Sequence, residues 1–148
     1  MGMSKFRFAV PAAVCAVVLG LSAGSASALT ANARVRPARG LTTGQVVKVH
    51  WHAFDPTQDE GGLVILQCTP AFATDGMQTH CDVTNPVNVS TATARGSAAF
   101  TVHTGNIGDG TCGTSATDLH CVIAVIGIGV PPPTDQTAVA NITFAPPA

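Results

Sequence analysis

The 148-residue chain contains no tyrosine, one tryptophan and six phenylalanines, and only 10% of its residues are charged. So light an aromatic complement leaves a thin core, and a small domain with a thin core needs other staples. Glutamate occurs once, as Glu60, so paired-carboxylate chemistry would rest on scattered aspartates. There is no G-x-S-x-G elbow and no H-E-x-x-H pair, which removes the sequence marks of a hydrolase nucleophile and of a zinc-protease helix. No two cysteines stand in C-x-x-C spacing, which argues against a structural zinc. Nor does any segment show the three-to-four-residue apolar period of an amphipathic helix. The expectation is a non-enzymatic protein with no catalytic residues, no metal site and no required cofactor.

The N-terminus has the form of an address label. Lys5 and Arg7 precede an apolar run from Phe8 to Leu21, and Ala26-Ser27-Ala28 suits a signal peptidase. This predicts a signal peptide over residues 1–28 and one mature domain over 29–148. A run of about 14 apolar residues is too short to span the bilayer, so no stable membrane anchor is expected and the predicted location is extracellular. Losing Lys5 and Arg7 leaves five basic residues against eight acidic ones, a net charge of −3. That balance has the wrong sign for a chain that grips nucleic acid by its phosphates.

Cys15 falls in the predicted leader, leaving Cys68, Cys81, Cys112 and Cys121, an even number in an exported chain. Four cysteines allow three pairings. The Gly-containing, turn-like stretches inside each local pair favour Cys68–Cys81 and Cys112–Cys121.

What fills the rest is alternation. Apolar residues recur with period two, punctuated by Gly, Pro, Thr and Asn, as in an all-β sandwich or barrel. Seven strands are predicted: Ala33–Pro37, Gln45–Phe54, Leu63–Cys68, Val87–Ala94, Ala98–His103, His120–Ile126 and Ala138–Phe144. Arg95-Gly96 reads as a hairpin turn, and Pro131-Pro132-Pro133 as a loop. The count fits a seven-stranded immunoglobulin-like antiparallel sandwich. Within the second strand, Val47, Val49, Trp51 and Ala53 fall on one face and Lys48, His50 and His52 on the other. The two histidines read as a solvated polar face rather than as metal ligands.

One strand breaks the alternation. Cys121-Val122-Ile123-Ala124-Val125-Ile126 is apolar on both faces, although a sandwich strand normally shows water one polar face. The outward set Val122, Ala124 and Ile126 therefore needs a cover, either a loop of the chain itself or a ligand or partner.

The residues also resemble a known family. Val35-x-Pro37-x-x-Gly40-Leu41-x-x-Gly44-x-x-Val47-x-Val49 opens the domain as the apoproteins of the enediyne antibiotics neocarzinostatin and macromomycin open. Gln67-Cys68, Gly96-Ser97-Ala98, the Cys112…Cys121 pair and a final Ile142-Thr143-Phe144 follow in the family's order. The resemblance implies a seven-stranded sandwich with two local disulfides that holds a reactive enediyne chromophore, non-covalently, in a cleft between one sheet and a disulfide-bearing ribbon. Family pocket positions map onto Val122, Ala124 and Ile126, with Pro70, Phe72 and Val87 at or near the places of pocket aromatics. Gln67 is a candidate polar contact. The implied partner is a hydrophobic small molecule, with DNA reached only through the chromophore and any antimicrobial action its own. The stretch from His103 to Thr111 is short and lacks the aromatics expected to stack on such a cargo. The alternative reading is a secreted interaction module with an extracellular protein partner and no chromophore.

Overall fold

A computed structural model describes residues 30–57, 61–76, 78–129 and 136–147. The signal peptide expected over 1–28, with Cys15, and the Pro131-Pro132-Pro133 loop lie outside these described residues. The elements are β1 (Asn32–Arg36), β2 (Val46–His52), β3 (Leu63–Cys68), a single helical turn α1 (Phe72–Asp75), a 3-10 turn (Gln78–His80), β4 (Val87–Val89), β5 (Arg95–Thr101), β6 (Gly105–Ile107), β7 (Gly110–Cys112), β8 (His120–Gly127) and β9 (Thr137–Thr143).

Period-two patterning places the strands. Ala33 and Val35 of β1 are buried while Arg34 and Arg36 are exposed, and Val47, Val49 and Trp51 of β2 are buried between exposed Lys48 and His52. β1, β2 and β5 make a three-stranded sheet in that order. The second sheet runs β4-β3-β8-β9, and β6 and β7 form a separate two-stranded ribbon. Every strand pairing is antiparallel. Val47, Val49, Trp51 and Phe100 from the first sheet share one core with Leu63, Ile65, Ile123, Val125 and Ile142 from the second. The two sheets are thus layers over a common interior, and the chain is all-β with both local disulfides, Cys68–Cys81 and Cys112–Cys121, formed.

Several boundaries differ from the sequence expectation. Arg95-Gly96 is not a hairpin: β4 belongs to one sheet and β5 to the other, and Gly96 lies inside β5 directly opposite Trp51. A Cβ at Gly96 would stand 2.4 Å from the Trp51 ring, so the glycine makes room for an indole instead of turning the chain. The indole Nε1–H then donates to the Thr93 carbonyl at 3.2 Å. β2 stops at His52 because Ala53 takes a left-handed φ of 63°, which passes the buried position to Phe54. The stretch after His103, outside the seven predicted strands, contains the β6–β7 ribbon.

Candidate functional site

The doubly apolar strand is β8, and both of its faces are buried. Cys121, Ile123 and Val125 point into the shared core, while Val122, Ala124 and Ile126 belong to a second cluster on the outer face of the four-stranded sheet. Antiparallel register sets the second face residue by residue: Cys68 pairs with Val122, Leu66 with Ala124 and Val64 with Ile126. Direct cross-strand neighbours lie about 5 Å apart, so these six side chains make one continuous apolar floor.

The floor has a roof. The chain leaves β3 at Cys68, turns through Thr69 and exposed Pro70 into α1, and returns through the 3-10 turn to Cys81, which the disulfide fastens to Cys68. Phe72, the first residue of α1, is 3% exposed and joins Leu66, Cys68, Cys81, Val122, Ala124 and Ile126 in the second cluster. Burying a side chain of this size contributes roughly 1.5–3 kcal/mol. It also answers the need for a cover: the chain supplies Phe72 itself.

A polar latch fixes the far end of this roof. His80 Nδ1 lies 2.7 Å from Asp109 Oδ1 and Nε2 lies 2.9 Å from Asp75 Oδ2, so the ring joins α1 to the β6–β7 turn. Both carboxylates only accept, and a neutral imidazole has one N–H, so only the protonated ring satisfies both. The hydrogen bond to Asp109, then that to Asp75, accordingly raises the His80 pKa against a smaller opposing effect of burial. The turn reaches the roof because residue 108 is glycine. Its φ is 58°, and a Cβ there would stand 2.2 Å from the Thr79 carbonyl oxygen. The next amide, Asp109 N–H, donates to that same carbonyl at 2.9 Å.

The structure does not bring all the expected ligand residues together. Val122, Ala124, Ile126 and Phe72 meet, and Pro70 stands exposed beside them. Gln67 and Val87 lie on the other face of the sheet. The Gln67 amide donates to the His103 carbonyl at 2.7 Å and accepts from the His103 amide at 3.1 Å, so it ties β3 to the chain leaving β5. Val87, opposite Ile65, packs against the shared core and lines a separate cavity of about 470 Å³ with Asn85, Pro86, Phe100, Thr101 and His103. That cavity opens between the edge strands β4 and β5. Beside it, His103 Nε2 lies 2.9 Å from Asp82 Oδ2. Burial works to raise the Asp82 pKa, but hydrogen bonds from Asn85 and Thr84, with the His103 charge, outweigh it and hold the group at about 2.

Sequence reasoning missed the latch. His80, Asp75 and Asp109 are separated along the chain, and no spacing rule joins them. His50 and His52 sit on the outer face of β2, as their alternation requires. Among the described residues no group of three or more His, Cys, Asp or Glu side chains is placed to hold a metal, and no described helix is long and apolar enough to cross a membrane. Comparison with profiles of known protein families and with curated protein sequences finds no match.

Proposed function

We propose that this chain is a secreted, non-enzymatic binding protein that holds and shields a hydrophobic small molecule against the outer face of its four-stranded sheet. On this reading β1-β2-β5 and β4-β3-β8-β9 are the two layers of a seven-stranded immunoglobulin-like sandwich, and the β6–β7 ribbon is an addition to it. One observation carries the proposal. Val64, Leu66, Val122, Ala124 and Ile126 form an apolar floor where a sandwich normally shows water polar residues, and a disulfide-closed segment spans it through one aromatic side chain. The motif order shared with the enediyne apoproteins supports the same face, since the positions that resemble their pocket are the three outward residues of β8. Phe72 then occupies the place a cargo ring would take, and loading requires α1 to lift from the floor. Any DNA damage belongs to the cargo.

The test is native mass spectrometry and absorbance on protein recovered from the culture medium of its producing organism. A non-covalent adduct that absorbs above the protein band and leaves on organic extraction supports the proposal. Protein that is found only inside the cell counts against it.

A second reading rests on a separate observation. Val139 of β9 lies opposite Ala124, continues the apolar floor toward the sheet edge and is 36% exposed. An extracellular protein partner covering that edge predicts a stable hetero-complex and a clean, cargo-free mass.

A further inference from the structure

The charge of the chain is unevenly spread, and the net value conceals it. Five Lys and Arg residues follow residue 28, and four of them, Arg34, Arg36, Lys48 and Arg95, project from the outer face of the three-stranded sheet. Register brings them side by side: Arg36 lies opposite Lys48, Arg34 opposite His50, and Arg95 opposite His52. No Asp or Glu occurs in β1, β2 or β5. Among the described residues none of the four cations forms an ion pair. The acidic residue nearest in sequence, Asp55, accepts hydrogen bonds from the Thr57 amide and hydroxyl.

Like charges placed directly opposite on a sheet destabilise it, so stability alone does not favour this arrangement. From the Arg36–Lys48 level to the His52–Arg95 level is four residues, about 13 Å. A rigid strip of cations that long fits a linear array of anions.

We propose that the outer face of the three-stranded sheet is a docking surface for the phosphate backbone of duplex DNA. The face lies on the opposite side of the two layers from the apolar floor, so this inference stands apart from the cargo reading. Charge complementarity carries it, and the composition of the face narrows the partner. Its only aromatic rings are the small imidazoles of His50 and His52, and it presents no Phe, Tyr or Trp as a broad stacking platform for single-stranded bases. Apart from Val46 at one corner it offers no large apolar group to enter a lipid interface. A duplex carries one charge per roughly 1.7 Å of axis, about eight over 13 Å, and keeps its bases inside. Its stiffness also means that little chain entropy is lost against a rigid sheet, unlike a flexible acidic polysaccharide. Among the described residues Asp75, Asp82, Asp109 and Asp118 all lie outside the three-stranded sheet, and charges more than about 10 Å apart are largely screened at moderate salt.

The experiment is fluorescence anisotropy of a labelled mixed-sequence duplex titrated with the mature protein at several salt concentrations. Four phosphate contacts predict a log–log slope of about −3.6, so affinity falls about 150-fold between 50 and 200 mM salt. Each of R34Q, R36Q, K48Q and R95Q is expected to reduce the slope by about 0.9, and the quadruple variant to abolish binding while its thermal unfolding confirms the fold. Vesicles of phosphatidylcholine with about one-third phosphatidylserine, and a heparin-type polysaccharide, serve as the other polyanions. No duplex binding at low salt, binding to either of these without the duplex, or a slope unchanged in the quadruple variant overturns the proposal.

Discussion

Replacing Phe72 with alanine removes the roof from the apolar floor and leaves most of the fold untouched. Phe72 is 3% exposed and shares its cluster with Leu66, Cys68, Val122, Ala124 and Ile126. Truncating a buried Phe to Ala costs about 3–5 kcal/mol, of which the cavity left behind is a large part. Here the roof is a single helical turn rather than a rigid layer, so it can settle into the gap. The lower end, about 3 kcal/mol, is expected. For a domain of this length that lowers Tm by about 10–15 °C. Phe72→Leu keeps most of the volume and is expected to cost less than about 1.5 kcal/mol. Urea unfolding with the disulfides intact measures both variants. The companion assay is Nile red fluorescence: the truncated roof exposes the floor, so Phe72→Ala is expected to bind the dye more tightly than the parent. A loss below about 0.5 kcal/mol, the level of an ordinary surface change, together with unchanged dye binding would refute the packing argument.

The latch gives a pH-dependent prediction. The folded-state pKa of His80 is raised above its ordinary value of 6.5, so its contribution is fully present below that value and is lost as pH rises through the raised one. The parent is expected to lose stability over that interval, and His80→Gln, measured beside it, to show a smaller dependence. Gln67→Ala removes both hydrogen bonds to the backbone of half-buried His103 and leaves a gap at a fully buried position, and is expected to cost about 2 kcal/mol by chemical denaturation. Asp82 runs in the opposite sense: its pKa is lowered to about 2, so its contribution is present above 3.8 and is lost as pH falls through about 2. Asp82→Asn is therefore expected to flatten the acid end of the stability profile.

The strands were legible where one face meets water. Val47-Lys48-Val49-His50-Trp51-His52 can be only one thing once its alternation is seen, and Leu63–Cys68 has the predicted ends. The apolar outer face of β8 was legible for the converse reason, because its alternation fails. What the sequence concealed lies in short elements and long-range contacts. β6 and β7 have three residues each, too few to display a period, and α1 is a single turn. Gly96 next to Arg95 carries a turn signal, and only the approach of Trp51 explains a glycine inside a strand. Gln67 adjoins the cysteine that starts the roof, yet strand alternation turns it to the other side. The His80 latch joins residues 29 positions apart through a turn whose place depends on Gly108.

The most direct measurement is a titration of isotope-labelled protein with Nile red, followed by methyl chemical shifts. If the outer floor is the ligand site, shifts concentrate on Val122, Ala124, Ile126 and Leu66, and they vanish when Ile126→Arg places a cation in the floor. Shifts confined to Val87 and the cavity beside His103, or an Ile126→Arg variant that binds as the parent does, would contradict the assignment.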